Sequence, residues 1–283
     1  MYTLIAQGPG LGAETAAELA LVLEAAQVHV MESDGVAFYR LETPRCPDEA
    51  EREALRERYL CDLNHFPKGF SPAEVGLLIC DMDSTLITIE CVDEIADFAG
   101  VKAEVARITE AAMRGDLDFE GALRERVRLL AGLPVAVLEQ VWAERLRLTP
   151  GAVTLMEAAR RRGIKTAVVS GGFTFFTERL KARLGLDYAL ANTLEVVDER
   201  LTGRVLGEVV DGRVKARFLT EICAELGIET RQAVAVGDGA NDLLMMAEAG
   251  LGVAFHAKPK VRARADWSLS HCTLEGVVPA LLP

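Results

Sequence analysis

The most informative part of the sequence is Val75-Gly76-Leu77-Leu78-Ile79-Cys80-Asp81-Met82-Asp83-Ser84-Thr85. Its apolar half does not alternate with polar residues, which is typical of a strand buried on both faces of a parallel sheet. Asp81 and Asp83 follow at the carboxyl end, where open α/β sheets bind ligands. Two carboxylates in one crevice suit a cation and acid–base chemistry. A strand-ending turn followed by a helix cap explains the same residues without chemistry.

The composition predicts a globular protein with a small-molecule partner. The chain has 283 residues, of which 50% are hydrophobic and 26% charged, so it can form two domains or one large domain with an insertion. The net charge of −12 argues against nucleic acid, because a phosphate backbone requires a basic surface. A small anionic substrate is compatible with this charge if a local positive cradle holds it.

Cysteine usage and hydropathy predict a soluble, cytoplasmic protein. None of the six cysteines shows C-x-x-C spacing, and most lie in apolar runs, as expected of unpaired thiols in a reducing compartment. No apolar stretch reaches the roughly 18 residues of a membrane span. The chain opens without a basic secretory n-region, so we expect no membrane partner.

The order of predicted elements divides the chain into two domains. Residues 1–70 read as a small α+β domain with strands at 2–6, 28–31 and 36–41, helices at 13–26 and 49–60, and a linker at 64–71. After the strand at 75–80, four helical patterns follow without a strand, and from 151 onward helices and strands alternate. This alternation predicts a parallel sheet with helices on both faces. The domain prediction is 1–70, then a core of 72–88 and 149–283 with an inserted helical cap at 89–148.

Two further strand ends carry polar residues. Ser170-Gly171-Gly172 offers a hydroxyl, close backbone approach and free N–H groups at a helix predicted to begin at Phe173, which together suit a phosphate. A plain strand-to-helix turn is the alternative. Gly237-Asp238-Gly239-Ala240-Asn241-Asp242 is a dense set of oxygen ligands, which favours Mg²⁺ over zinc, although Asp242 alone would also serve as a helix cap.

Three charged residues stand out from the periodic pattern. Lys215 and Arg126 fall on apolar helix stripes, whereas Arg124 and Arg128 face outward as solvent charges do. Lys215 either neutralises an anion or extends along the surface to water. Arg126 needs an anionic partner, which is a protein carboxylate or a carboxylate on a ligand. Glu90 either takes part in binding or only favours the N-terminus of the following helix.

These residue types fit one phosphate chemistry. A carboxylate can attack phosphorus as a covalent nucleophile, and Mg²⁺ screens the charge that opposes the attack. Lys215 and Ser170 suit the equatorial oxygens, where charge accumulates. A second carboxylic acid can protonate the leaving alkoxide and then activate water.

The motifs resemble those of the haloacid-dehalogenase-type (HAD) phosphatases, and within them the phosphoserine phosphatases. The resemblance covers about residues 72–283 and rests on Asp81-Met82-Asp83-Ser84-Thr85-Leu86 running to Glu90, Phe119…Leu123-Arg124-Glu125-Arg126-Val127, Val169-Ser170-Gly171-Gly172-Phe173 and Val234-Ala235-Val236-Gly237-Asp238-Gly239-Ala240-Asn241-Asp242. It implies an α/β fold with a HAD-type, Rossmann-like parallel sheet core and an inserted all-helical cap, beside the small α+β N-terminal domain.

The resemblance also implies a role for each site residue. Asp81 would be the nucleophile and Asp83 the general acid/base. Mg²⁺ would be held by Asp81, the backbone carbonyl of Asp83, and Asp238, with Asp242 in support. The substrate ammonium would meet Glu90 and its carboxylate Arg126, while the phosphate would be held by Ser170, Gly171, Lys215 and Asn241. Met113 and Phe119 would close over the site and exclude water.

The activity implied is Mg²⁺-dependent hydrolysis of O-phospho-L-serine through an aspartyl-phosphate, the last step of serine biosynthesis. Two alternatives stay open: a HAD phosphatase or phosphotransferase for another small phosphorylated amine, and a non-catalytic amino-acid-binding regulator. Residues 1–70 resemble an ACT-type regulatory domain that lacks its closing strand. A structural role, or homodimerisation through this segment, is therefore as plausible as amino-acid sensing.

Overall fold

Two β-sheets organise the chain, one four-stranded and one seven-stranded. The structure is a computed structural model that describes residues 1–114 and 116–282, with the side chains at 113 and 114 outside the description. The α/β class and the parallel core sheet predicted from the sequence are confirmed.

The N-terminal sheet has the strand order β2-β3-β1-β4, with every pair antiparallel. This is the order of a ferredoxin-like βαββαβ unit. Its elements are β1 (Tyr2–Gln7), α1 (Ala13–Val22), β2 (Gln27–Ser33), β3 (Val36–Thr43), α2 (Glu49–Tyr59) and β4 (Asp62–His65). The helices cover one face of the sheet, and a separate apolar cluster that includes Leu4, Leu19, Leu41 and Leu63 fills the space between them.

The predicted absence of a closing strand is wrong. Residues Asp62–His65 form β4 and pair with β1, so the linker begins later than residue 64. The strand is short and polar, and Asp62 and Asn64 are nevertheless buried. Contacts with the core satisfy both side chains: the Asp62 carboxylate accepts backbone N–H groups from residues 270–272 at 2.8–3.2 Å, and Asn64 pairs with the backbone of Ser268. These partners lie about 200 residues away, so no local pattern could reveal the strand.

The core sheet has the order β11-β10-β9-β5-β6-β7-β8, and only the β7–β8 pair is antiparallel. Its strands are β5 (Leu77–Cys80), β6 (Lys165–Phe173), β7 (Tyr188–Val197), β8 (Arg200–Leu206), β9 (Ala233–Gly237), β10 (Leu251–Phe255) and β11 (Trp267–Leu269). Its helices are α7 (Ala152–Arg161), α8 (Thr174–Leu184), α9 (Gly212–Leu226), α10 (Leu243–Glu248) and α11 (Pro259–Arg262). The central strand β5 is fully buried, as its continuous apolar run predicts. Because β6 and β9 flank β5 in parallel, the carboxyl ends of all three strands meet at one edge.

Four helices separate β5 from the rest of the core. They are α3 (Cys91–Phe98), α4 (Lys102–Arg114), α5 (Phe119–Arg128) and α6 (Ala136–Gln140), the last continued by a wider turn at Val141–Arg145. The chain enters and leaves this helical segment side by side, where Ile87 pairs with Leu148 and the Thr88 N–H donates to the carbonyl of Arg147. The bounds 89–148 for a cap, and the division near residue 70, stay predictions.

All six cysteines are unpaired. Within residues 1–114 and 116–282, no helix has both the length and the apolar character needed to cross a membrane.

Candidate active site

A cavity of about 160 Å³ opens at the carboxyl ends of β5, β6 and β9, beneath α3 and α5. It gathers residues from four distant stretches of the chain. The lining consists of Asp81, Asp83, Glu90, Val92, Phe119, Leu123, Arg126, Ser170, Gly171, Gly172, Asp238 and Asn241. Of the residues that the sequence assigned to catalysis, substrate and metal, all but Lys215 and the supporting Asp242 line this cavity, and Lys215 is bonded to its lining residue Asp81.

The first two aspartates lie on a tight turn that reverses the chain after β5. Asp81 is buried at the end of the strand, and the five-residue turn Met82–Leu86 follows. The Asp83 carboxylate accepts the Cys91 N–H at 3.0 Å and the Ser170 hydroxyl at 3.3 Å. Burial raises the pKa of Asp83 above its usual value, although these hydrogen bonds oppose the rise. A carboxyl group with a raised pKa retains a proton that it can donate.

The segment Ser170–Gly172 differs from its prediction. Strand β6 continues to Phe173, with a shift of register between Val169 and Phe173, and α8 begins one residue later. The segment is therefore a strand irregularity, a feature often found beside active sites, and not a helix N-terminus. A Cβ atom on Gly172 would lie 2.6 Å from Oδ2 of Asp83, so glycine is required for this close approach.

Lys215 extends into the core from the first turn of α9. The turn is capped by Asp211, whose carboxylate accepts two backbone N–H groups. The Lys215 side chain has no exposed surface, and its Nζ donates to Oδ1 of Asp81 and to Oδ1 of Asp242, each at 2.7 Å. The alternative that the lysine extends to water is therefore wrong. Burial lowers the pKa of Lys215, but the two carboxylates outweigh burial and raise it, so the ammonium stays charged.

Three carboxylates form an oxygen-only cluster around this lysine. One ligand oxygen from each of Asp81, Asp238 and Asp242 lies within 4.8 Å of the others. Burial, and next the charge of Asp242, raise the pKa of Asp81 well above its usual value and that of Asp238 to about 6. One ammonium does not balance three carboxylates. The excess charge and the hard oxygen donors fit a divalent metal ion.

The two remaining charges come from the helical segment. Arg126 is half-buried on α5, and its Nε donates to the Ala122 carbonyl at 3.3 Å. Among the described residues, no carboxylate oxygen lies within 4 Å of its guanidinium nitrogens, and the charges of Asp93, Glu90 and Asp83 act on it from farther away. Its neighbour Arg124 is exposed and paired with Glu120, as the outward-facing prediction requires.

Glu90 precedes α3 without capping it. Its side chain accepts no hydrogen bond from the helix backbone, and Oε1 instead accepts the Ser84 hydroxyl at 2.7 Å. The carboxylate keeps some exposure to water, yet the surrounding protein, and next the charge of Asp83, raise its pKa to about 7. When ionised, Glu90 places a negative charge in the cavity. Burial lowers the pKa of Arg126, and the charges of Asp93 and then Glu90 oppose that lowering.

Sequence reasoning missed several contacts of the site. Val92 and Leu123 give the cavity an apolar wall, the Cys91 N–H holds Asp83, and the Thr85 hydroxyl donates to Asp238 at 3.4 Å. The periodicity of α3 and α5 shows which residues are apolar but not that two of them face a cavity. Phe119 lines the site as predicted, while the side chain of Met113 lies outside the described residues.

The chain resembles known proteins over much of its length. The model of the haloacid dehalogenase-like hydrolase family matches residues 78–247. The phosphoserine phosphatase of Polaromonas sp. is 58% identical over 198 residues, which are 68% of this chain and 84% of the relative.

Solved structures show the same fold. The crystal structure of a HAD family hydrolase from Salmonella enterica serovar Typhi superposes with a TM-score of 0.90 at 33% identity and covers 99% of this chain and 98% of that one. A substrate-bound phosphoserine phosphatase complex has a TM-score of 0.69 at 43% identity over 74% of this chain and 99% of that one. The chain therefore belongs to the haloacid dehalogenase-like hydrolase family.

Proposed function

We propose that this protein is a phosphoserine phosphatase, which hydrolyses O-phospho-L-serine to L-serine and phosphate. One observation carries the substrate: the cavity that holds Asp81 and Asp83 also holds Glu90 and Arg126, opposite charges without a salt bridge to each other. A phosphorylated amino acid brings an ammonium for the carboxylate and a carboxylate for the guanidinium. Relatives and solved structures with this activity, among them the two described above, support the proposal.

Substrate binding uses charge and close backbone approach. The phosphate is held by the Ser170 hydroxyl, the Gly171 backbone, Lys215 and Asn241, donors preorganised around the oxygens where charge builds up. The planar guanidinium of Arg126 suits a carboxylate in a two-bond contact. The apolar side chains of Val92, Phe119 and Leu123 limit water around the reacting group.

In the first step, a carboxylate oxygen of Asp81 attacks phosphorus while the bond from phosphorus to the serine oxygen breaks. Lys215 already holds Oδ1 of Asp81, which fixes the carboxylate beneath the phosphate. Asp83 donates its proton to the departing serine oxygen, so that serine leaves as the neutral alcohol. An aspartyl-phosphate on Asp81 remains.

In the second step, Asp83 acts as the base. It accepts a proton from a water molecule, whose oxygen attacks the phosphorus of the aspartyl-phosphate. The bond between phosphorus and the Asp81 oxygen breaks, phosphate leaves, and both carboxyl groups return to their starting states. The Cys91 N–H orients Asp83 in both steps, while the single O–H of Ser170, which bonds Asp83 in this structure, turns to the phosphate when substrate is bound.

The acidic cluster supports a metal requirement, and Mg²⁺ is the ion we propose. Asp81, Asp238 and the backbone carbonyl of Asp83 would hold it, with Asp242 in support. When bound, such an ion screens the charge between the nucleophile and the phosphate. Asp242 itself accepts from Lys215 and from the Gly239 N–H, so it fixes the lysine and the loop that carries Asp238.

Neither alternative function explains the site as fully. A phosphorylated amine without a carboxylate would leave Arg126 without an anionic partner. A non-catalytic amino-acid-binding protein would not need the buried Asp81–Lys215 pair, which is costly unless it serves chemistry or structure.

The cellular location and the oligomeric state of the enzyme are also proposals. Six unpaired cysteines support a cytoplasmic location, where the activity would complete serine biosynthesis. A homodimer through residues 1–70 is supported by the edge strand β2, on which Val28 and Val30 are exposed, because apolar edge strands tend to be covered.

The proposal is tested by phosphate release over a panel of phosphorylated amino acids, amines and sugars, with and without Mg²⁺. We expect phosphoserine to give the highest kcat/KM and Asp81→Asn to abolish release. A higher kcat/KM for an amine without a carboxylate would favour the first alternative. No release from any substrate would favour the second.

A further inference from the structure

Ser84 occupies an unusual backbone conformation between the two aspartates and the helical segment. Its φ is +54° and its ψ is +5°, in the left-handed region that residues with a Cβ rarely adopt. Glycine suits this conformation better than serine does. The turn alone therefore does not account for a serine at this position.

The serine makes two hydrogen bonds, and glycine could make only one of them. Its backbone N–H donates to the carbonyl of Ile89 at 3.2 Å, and its hydroxyl donates to Oε1 of Glu90 at 2.7 Å. The first bond closes the turn and needs no side chain. The second is a charge-assisted bond to the carboxylate of Glu90, which lines the cavity.

Little else in the described structure fixes the Glu90 carboxylate. It accepts no bond from the N-terminus of α3, and the negative charge of Asp83 opposes its ionisation. A carboxylate on a flexible side chain next to another acid would turn away from the cavity without a donor to hold it. The Ser84 hydroxyl is the one side-chain donor that the described residues offer it.

We propose that Ser84 is a positioning residue for ammonium recognition. Its hydroxyl holds one oxygen of Glu90 and leaves the other for the substrate ammonium. The inference rests on the proposed function, since it concerns the ammonium of phosphoserine. It assigns Ser84 to substrate selection and leaves the chemistry to Asp81 and Asp83.

The test is Ser84→Gly, which relaxes the backbone and removes only the hydroxyl. Two substrates are compared: phosphoserine and its analogue with hydrogen in place of the ammonium group. A hydrogen bond to a charged group is worth roughly a tenfold to hundredfold change in binding. We therefore expect the ratio of kcat/KM for phosphoserine to that for the analogue to fall about tenfold, mainly through a higher KM for phosphoserine.

Further variants test this assignment. Ser84→Asn tolerates the left-handed backbone and keeps a donor, so it should retain more of the ratio than Ser84→Gly. In a Glu90→Gln background, Ser84→Gly should lower the ratio no further, because the carboxylate it holds is gone. The matched control is Thr88→Ala, in the same loop and exposed; if Ser84→Gly lowers the thermal stability, Ser84→Ala replaces it.

Two results would overturn the inference alone. One is a wild-type preference for phosphoserine that Ser84→Gly retains in full. The other is an equal loss on both substrates, which would assign the hydroxyl to the shape of the turn. A wild-type protein with no preference for phosphoserine would instead overturn the proposed function, and this inference with it.

Discussion

The Nζ atom of Lys215 lies 2.7 Å from Oδ1 of Asp81, and neither side chain is more than marginally exposed. The lysine thus balances a buried carboxylate in the same contact that would hold it for attack on phosphorus. Because Asp242 shares the lysine, removal of this one charge leaves two buried carboxylates without a cation.

Replacing Lys215 with methionine should therefore impair both activity and stability. Removal of one partner of a buried ion pair costs about 3–5 kcal/mol, so we expect a loss of that size in the free energy of unfolding without metal, measured by urea denaturation at neutral pH. Phosphate release should fall at least about a thousandfold. Lys260→Met is the control, because Lys260 is exposed on α11. A fully stable Lys215→Met protein would contradict the pairing.

Arg126→Ala should separate substrate recognition from chemistry. We expect kcat/KM for phosphoserine to fall about a hundredfold, in line with the cost of truncating one partner of a desolvated charge pair. Turnover of an aryl phosphate, which has no carboxylate, should fall far less. Arg124→Ala, two residues away and exposed, should affect neither substrate. Equal losses on both substrates for Arg126→Ala would remove the role of the guanidinium in selectivity.

The pH dependence of phosphoserine turnover should reveal Glu90. Its raised pKa of about 7 means that the carboxyl group is largely neutral below that pH, and a neutral group binds an ammonium weakly. We expect kcat/KM for phosphoserine to rise as the pH increases through 7. The analogue without ammonium should not show this rise in kcat/KM, and Glu90→Gln should remove the rise for phosphoserine. If kcat/KM depended on pH in the same way for both substrates, the rise would belong to a group other than Glu90.

Metal binding should stabilise the protein most at neutral pH. Burial, and next the charge of Asp242, raise the pKa of Asp238 to about 6, so the metal-free fold favours its protonated form below that pH. Its contribution to stability is therefore present at low pH and is lost as the pH rises through about 6. A divalent cation needs the ionised form, so Mg²⁺ should raise the Tm more at pH 7.5 than at pH 5, as measured by thermal unfolding.

Removal of the metal by a chelator should have the opposite effect to its addition. Removing the metal at pH 7.5 should lower both the Tm and phosphate release, and adding Mg²⁺ back should restore both. Asp238→Asn should weaken the response of the Tm to Mg²⁺. An Mg²⁺ effect of the same size at both pH values would contradict the carboxylate cluster as the binding site.

The catalytic edge of the sheet could be predicted because each of its components is local. The run ending at Cys80 identifies a buried strand, and Asp81 and Asp83 follow it directly. The glycine-rich ends of β6 and β9 repeat the pattern, and parallel pairing alone brings three such ends together. The positions of Ser170 and Asp238 beside Asp81 follow from this topology.

Features that depend on distant partners could not be predicted. Strand β4 is polar and four residues long, and only the backbone around residues 268–272 makes burial of Asp62 and Asn64 favourable. The extension of β6 to Phe173 depends on its pairing with Asn192. Whether the Lys215 side chain extends into the core or to water could not be predicted for the same reason. The apolar stripe of a helix does not show whether carboxylates lie beneath it.

The neighbouring entry and exit of the helical segment at Ile87 and Leu148 bear on how such enzymes diversify. When the two ends of an insertion meet in one bridge, the sheet need not change to accommodate it, and a longer insertion adds only a small entropic cost of closure. The residues that we assign to reading the amino acid, Glu90 and Arg126, both lie inside this insertion, whereas Asp81 and Lys215 lie outside it. Changes within the insertion could therefore alter which substrate is recognised, while the residues that carry out the reaction stay the same.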